Sequence, residues 1–356
     1  MDPKGLRLAP LREWMGSVGI DVATDAPLTA DLLAGGRSNV SYLLTDAAQR
    51  TWVLRRPPLG HVLPTAHDMG REFTVLSGLN QVHFPTPRAI ALCEDEEVIG
   101  ARFLLMDYVE GRVIADSDGA AGLSPDEASD ICASLVDTLA DLHAISPQDA
   151  GLAALGRPDG YLERQLSRWS QQWELTATRE LPVVTELAAQ LQERAAGIAS
   201  APGGIVHGDY RLDNTILDPA SPRVKAVVDW EMSTLGDPAM DLAIMLVYWT
   251  DPGDGLRADV PVAQHITDRP GFWNRGQIVA RYVERTGLDL AQLEFCTGLA
   301  CFKLAVIMES ILARSLKGQQ MGSGATETAA MGQATQALAQ MGVAVLDRGV
   351  EEGLSS

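Results

Sequence analysis

The chain has only four cysteines, Cys93, Cys132, Cys296 and Cys301, and no two of them form a C-x-x-C pair. That scarcity argues against a disulfide framework or a zinc ribbon and fits a reducing, cytoplasmic setting. Positive charge is also short: 28 Lys and Arg stand against 47 Asp and Glu, a formal net charge of −19. Such a balance repels nucleic-acid phosphates and anionic membrane surfaces, and no local basic patch offsets it, so neither is expected as a partner. No stretch reaches the roughly 18 uninterrupted apolar residues that a membrane span needs. The opening MDPKGLRLAPLREWMG lacks the basic start, apolar middle and small-residue cleavage site of a signal peptide. What is present is 356 residues with 46% hydrophobic content, enough for one large domain or two lobes with filled cores.

The periodicity changes along the chain. An amphipathic helix over LREWMGSVGI and a linker occupy residues 1–27. A strand-rich unit follows over 28–109. In GGRSNVSYLLTDAAQRTWVLRRPP, Val40, Tyr42 and Leu44 alternate with smaller or polar residues, and a turn leads into TWVLRR, which predicts a β-hairpin closed by Pro57 and Pro58. DMGREFTVLSGL predicts a helix with Phe73, Leu76 and Leu79 on one face, and the segment from Pro85 to Gly111 predicts two or three further strands. Residues 110–356 are mainly helical, as in DEASDICASLVDTLADLHAI with its stripe of Ile131, Leu135, Leu139 and Leu142. Within that part a β-hairpin is expected from IVHGDYRLDNTILD and VKAVVDW, and the Gly/Ser/Thr/Ala-rich MGSGATETAAMG is expected as a loop.

The run from Ile205 to Asp218 gathers a histidine, acidic residues, an arginine and an asparagine between apolar flanks. Burying so many charges costs several kcal/mol each unless partners are supplied. Asp209 and Asn214 are five positions apart, and Asp229 ends an apolar strand fifteen residues after Asn214. An amide oxygen and a carboxylate are hard ligands suited to Mg²⁺, which keeps its remaining positions for water and phosphate. Asn214 and Asp229 are therefore candidate metal ligands, and Asp209 a candidate acceptor of a substrate proton. The spacing is that of the protein-kinase catalytic loop and its following metal-binding aspartate.

HGDYRLDN followed by VVDWEMSTLGDPAMDLA closely resembles the signature of the aminoglycoside phosphotransferase family, kinase relatives that phosphorylate small molecules. GGRSNVSYLL, WVLRRPP, FLLMDYVEGRV and GYLERQLSRW look most like the kinase-like domain fused to certain acyl-CoA dehydrogenases and its free-standing bacterial relatives. The resemblance runs from about Leu33 to about Leu316. It implies an α+β, bilobal, protein-kinase-like fold with a small β-rich N-lobe and a large helical C-lobe. It also implies ATP, or GTP, and Mg²⁺ as cofactors and a small-molecule hydroxyl as acceptor.

Carried over by position, the resemblance makes Asp209 the catalytic base and Arg211 the cation that meets the γ-phosphate. Asn214 and Asp229 become metal ligands, His207 a brace of the loop, and Asp241 an acceptor of backbone N–H groups from it. Asp107, Tyr108 and Val109 correspond to the hinge that hydrogen-bonds adenine. The pattern departs from that of kinases in the nucleotide lobe, where no G-x-G-x-x-G is present and GGRSN, with Ser38 and Asn39 as donors, takes its place. Arg55 replaces the strand lysine, with Glu72 as its expected partner. Arg56 is the competitor, because alternation sends the two arginines to opposite faces. Asp237 and Pro238 are expected to start a helix, His143 is expected in the core, and Glu231 is unassigned. The missing lysine motivates a second reading, a non-catalytic nucleotide-binding protein. A metal-dependent hydrolase is disfavoured, since no second histidine stands at ligand spacing.

Overall fold

The structure, a computed structural model, describes residues 2–23, 25–33, 39–59, 68–198, 203–255, 265–316 and 325–355. Its N-terminal lobe is an antiparallel five-stranded sheet of order β1-β2-β3-β5-β4. The strands are β1 (Thr29–Leu32), β2 (Val40–Thr45), β3 (Thr51–Arg56), β4 (Ala89–Cys93) and β5 (Phe103–Asp107). The hairpin predicted from alternation is β2 and β3, in register from Val40 opposite Arg56 to Thr45 opposite Thr51. β1 was not anticipated: Thr-Ala-Asp-Leu is a short, mostly exposed edge strand with no apolar alternation to reveal it.

Alternation across the sheet decides what each face meets. Tyr42, Leu44, Trp52, Leu54, Phe103 and Leu105 share one buried cluster with Leu11 and Met15 of α1 (Leu8–Ser17). The N-terminal helix, expected as a separate segment with a linker, therefore caps the outer face of this lobe, and Trp14 packs edge-on against Phe103. On the opposite face Leu104 and Met106 join Val75, Leu76 and Leu79 of α2 (Met69–Gln81), which continue into the core of the second lobe. Asp68 caps α2 by accepting N–H bonds from Gly70 and Arg71.

The C-terminal lobe is built from α3 (Pro125–Ala144), α4 (Tyr161–Thr176), α5 (Pro182–Ala195), α6 (Ala239–Tyr248), α7 (Arg275–Thr286), α8 (Leu293–Leu316), α9 (Ala325–Arg348) and α10 (Val350–Leu354). α3 starts with a capping box between Ser124 and Glu127 and buries Ile131, Leu135, Leu139 and Leu142. α8 is the central helix, packed on α4, α5, α6 and α9. By length and composition it is apolar enough to cross a membrane, yet 83% of its most apolar window is buried inside the protein.

Two expectations need correction here. MGSGATETAAMG is helical from Ala325 onward, because α9 lays Met331, Ala334 and Leu338 against α5 and α8. That part of the segment, ATETAAMG, is itself rich in the helix formers Ala, Glu and Met. The single β-hairpin around the charge cluster is instead two separate two-stranded ladders. β7 (Thr215–Leu217) pairs with β8 (Val224–Val227), while β6 (Gly204–Val206) pairs with β9 (Thr234–Gly236). Three residues of Thr-Leu-Gly carry too little pattern to announce a strand.

Candidate active site

The cluster lies on the loop between β6 and β7 and on the turn after β8. Val228 N donates to Asn214 O at 3.0 Å, holding the two segments side by side. β9 then leads directly into α6, whose first turn carries Asp241. This carboxylate is fully buried and accepts from His207 N at 2.6 Å and Gly208 N at 2.7 Å, with His143 Nε2 at 3.2 Å. Burial alone would raise its pKa, but His143, His207 and the Gly208 N–H outweigh that and hold it below the ordinary carboxylate value. Asp237 accepts from Ala239 N at 2.9 Å and so caps α6.

His207 is buried under the loop. Its Nδ1 accepts from Asp209 N at 3.2 Å, which leaves Nε2 to donate to Val228 O at 2.9 Å; the ring packs 4.5 Å from that of Trp230. His143 is in the core, as expected, with both ring nitrogens satisfied: its Nδ1 meets the Tyr282 hydroxyl at 2.6 Å and its Nε2 faces Asp241.

Asp209 is held in turn by its neighbours. Asn214 Nδ2 donates to its backbone oxygen at 2.8 Å and to Oδ2 at 3.0 Å, and Arg211 Nε lies 3.2 Å from Oδ2. Arg211 also pairs with Asp213 at 2.7 Å and stacks over the Tyr248 ring at 4.7 Å. Burial pushes the Asp213 carboxyl up to about 6, despite the opposing charge of Arg211.

Strand alternation on β3 separates the two arginines. Arg56 turns to the α1 face, where its guanidinium donates to the carbonyls of Gly5, Pro57 and Ile99. Arg55 turns to the α2 face. Its Nε lies 3.0 Å from Glu72 Oε2, and its Nη2 bonds Asp229 Oδ1 and lies 3.7 Å from Glu231 Oε2. The contact with Glu72 is a charge pair rather than an aligned hydrogen bond, since neither of those two atoms has a hydrogen-bond partner. Burial opposes the Arg55 charge, but the surrounding carboxylates outweigh it and raise its pKa; for Glu72, burial wins and raises the carboxyl. Arg71 bolts α2 to the second lobe through Ser233 O at 2.9 and 2.6 Å, which fixes where Glu72 stands.

Of the remaining candidates, Ser38 lies outside the described residues. The Asn39 amide, expected to face phosphate, donates instead to Glu231 Oε2 at 2.7 Å, because a buried amide must find an acceptor. At the connector, Asp107 gives its backbone N–H to Arg88 O and its carboxylate to the Arg88 guanidinium, so neither is turned to a ligand. Tyr108 is partly exposed and Val109 follows it. Gly111 is pressed onto β7: a Cβ there would lie 2.3 Å from Ile216 Cγ2 and 2.4 Å from Leu217 O. Sequence reasoning missed Lys303, a single buried lysine in LACFKLAVIM of α8 whose Nζ donates to Gly208 O at 2.5 Å. A small cavity of about 40 Å³ opens beside Arg211, lined by Ile114, Asp213, Met245, Tyr248, Trp249 and Ile266 among others.

The donor set suits a hard divalent cation. Among the described residues, Asp209, Asp213, Glu72, Asp229 and Glu231 gather around Arg55 and Arg211, leaving negative charge in excess. Among the described residues no group of three or more His, Cys, Asp or Glu is arranged to hold a metal by itself. Asn214 and Asp229, an amide oxygen and a carboxylate, would be the residues to hold Mg²⁺ there, with phosphate oxygens and water supplying the other ligands.

A small antiparallel sheet over a helical lobe, with this loop at their junction, is the kinase-like phosphotransferase fold. Residues 29–273 match the phosphotransferase enzyme family, and the chain belongs to it. It is 34% identical over 304 residues to acyl-CoA dehydrogenase family member 11 of Homo sapiens, covering 84% of this chain and 38% of that protein. The Mus musculus protein of the same name is 32% identical over 345 residues, covering 96% and 43%. The chain thus spans about two fifths of the length of these relatives. A candidate aminoglycoside phosphotransferase from Ralstonia eutropha superposes with a TM-score of 0.77 at 31% identity, covering 96% of this chain and 98% of that one. An aminoglycoside phosphotransferase in complex with GDP and kanamycin shares the fold, with a TM-score of 0.58 at 16% identity over 96% and 98% of the two chains.

Proposed function

We propose that the chain transfers the γ-phosphate of ATP, or of GTP, to a hydroxyl of a small molecule. The observation that carries this reading is the convergence of Asp209, Asn214, Asp229 and Arg55 at the junction of the lobes, with Asp209 held from three directions. In this reading Asp209 orients the acceptor hydroxyl and takes its proton, while the leaving β-phosphate oxygen keeps the electrons of the broken P–O bond. Asn214 and Asp229 hold Mg²⁺, which when bound offsets negative charge on the phosphate oxygens. Arg55 leaves Asp229 to meet the α- and β-phosphates, kept in place by Glu72, and Arg211 meets the γ-phosphate. The small cavity beside Arg211 takes the hydroxyl end of the acceptor. Its wall of Met245, Trp249 and Ile266 favours an apolar body next to the hydroxyl.

The test is phosphate transfer from Mg·ATP across a panel of hydroxy acids, acyl-CoAs, aminoglycosides and macrolides, run beside calorimetry of Mg·ATP binding. Asp209→Ala is expected to abolish turnover and leave nucleotide affinity within a few-fold; wild-type turnover in that variant would sink the base assignment. A second reading, nucleotide binding without transfer, draws on the arginine that replaces the strand lysine and closes onto Asp229. Mg·ATP binding by the native protein with no transfer to any acceptor, nor to water, favours it.

A further inference from the structure

Lys303 is 5% exposed, in the middle of the central helix. Burying an ammonium costs several kcal/mol unless charge and hydrogen bonds compensate. Among the described residues no carboxylate forms an ion pair with it, and its nearest polar partner is the Gly208 carbonyl, with the Trp169 ring 5.8 Å away. Burial lowers its pKa; the charges of Asp209 and Asp241 work against that shift and those of Arg168 and Arg211 add to it. A methionine would fill the same space without the charge, so the role of the lysine lies in the one group it bonds.

That group is the peptide immediately before Asp209. Its carbonyl accepts from Lys303, and its N–H, that of Asp209, donates to His207 Nδ1. One step back, the Gly208 N–H is taken by Asp241. The chain passes this point with Gly208 at φ +87°, where a Cβ would lie 2.7 Å from Met232 O. The direction in which the Asp209 carboxylate leaves the backbone is therefore set by bonds to this peptide from α8 on one side and from His207 on the other. The bond from α8 is the only one of these that comes from outside the signature stretch of the sequence.

We propose that Lys303 is a positioning residue for phosphoryl transfer, holding the Gly208 carbonyl so that the Asp209 carboxylate points at the acceptor oxygen. The proposal rests on the phosphotransferase reading of Asp209. A misplacement of about 1 Å at a reacting group can cost about 10²-fold in rate.

The probe is Mg·ATP alone, with phosphate release to water as the readout. Lys303→Met, which keeps the stem and removes the donor and the charge, is expected to lower kcat about ten-fold or more with KM for Mg·ATP within about two-fold. Wild-type kcat in Lys303→Met overturns the proposal. So does a fall in activity that merely follows a loss of folded protein in thermal unfolding. If the methionine variant does not fold, Lys303→Leu, which likewise has no donor, is read by the same criteria. Hydrogen exchange supplies a readout independent of turnover: faster exchange at the Gly208 and Asp209 amides of the variant, with α6 and α8 unchanged, supports the assignment, and unchanged exchange at both amides overturns it. Absence of phosphate release in the native protein counts against the phosphotransferase reading, while the exchange measurement still decides the role of Lys303.

Discussion

Asp241→Ala probes the support beneath the catalytic loop, and its cost follows from the hydrogen bonds it removes. The substitution orphans two buried backbone donors, His207 N and Gly208 N, and strips His143 of its carboxylate. Each unsatisfied buried donor costs about 1–3 kcal/mol, so the pair amounts to about 2–6 kcal/mol, a large share of a typical stability of about 5–15 kcal/mol. Asp241→Asn keeps one acceptor oxygen and turns an NH2 group toward the other donor, so it is expected to fall between the alanine variant and the native protein. Urea titration followed by circular dichroism and tryptophan fluorescence measures both. The pH dependence has a definite sign. The folded-state pKa of Asp241 lies below its unfolded value of about 3.9, so its contribution is fully present above that pH and is lost as pH falls through the folded value. The gap between native protein and Asp241→Asn should hold constant from about pH 7 to pH 5 and shrink below about pH 4. A destabilisation of less than about 1 kcal/mol for Asp241→Ala would refute the claim that this carboxylate carries the loop.

Other substitutions test other links. Glu72→Gln leaves Arg55 without its charge partner on α2 and is expected to weaken Mg·ATP binding about ten-fold by calorimetry, with secondary structure unchanged. Unaltered affinity would mean that Glu72 does not hold Arg55 in place for the nucleotide. Gly208→Ala must accommodate a Cβ against Met232 O at positive φ, so a loss of about 2 kcal/mol or more in urea unfolding is expected, together with loss of turnover. The four cysteines are buried, and burial pushes the Cys132 thiol up to about 12. Ellman's reagent should therefore detect none in the native protein at pH 8 and all four after denaturation; rapid native labelling would contradict the packing around α3 and α8.

The helices were readable where an apolar stripe and a cap coincide, as at Ser124 to Ala144, and the β2–β3 hairpin where apolar and polar residues alternate. β1 and β9 escaped because three or four residues hold too little pattern, and the start of α9 because its Ala, Glu and Met were read together with the Gly- and Ser-rich residues before them. The Asp209, Asn214 and Asp229 spacing was visible because a loop's chemistry is written in consecutive residues. The exchange of Asn39 onto Glu231 and the use of Asp107 by Arg88 were not, since each is a choice of hydrogen-bond partner made only when distant segments meet.

By itself the sequence determined which side chains are candidates for the chemistry and the order in which they occur, because residue type and local spacing are covalent facts. It also determined that Arg55 and Arg56 leave their strand on opposite faces, by the two-residue period of a β-strand. Only the tertiary structure decided which face meets Glu72 and Asp229, since that depends on where α2 is bolted to the second lobe. The same holds for Lys303 beneath Gly208: the two are 95 positions apart, and no local rule links a lysine on a buried helix to the peptide that aims a distant carboxylate.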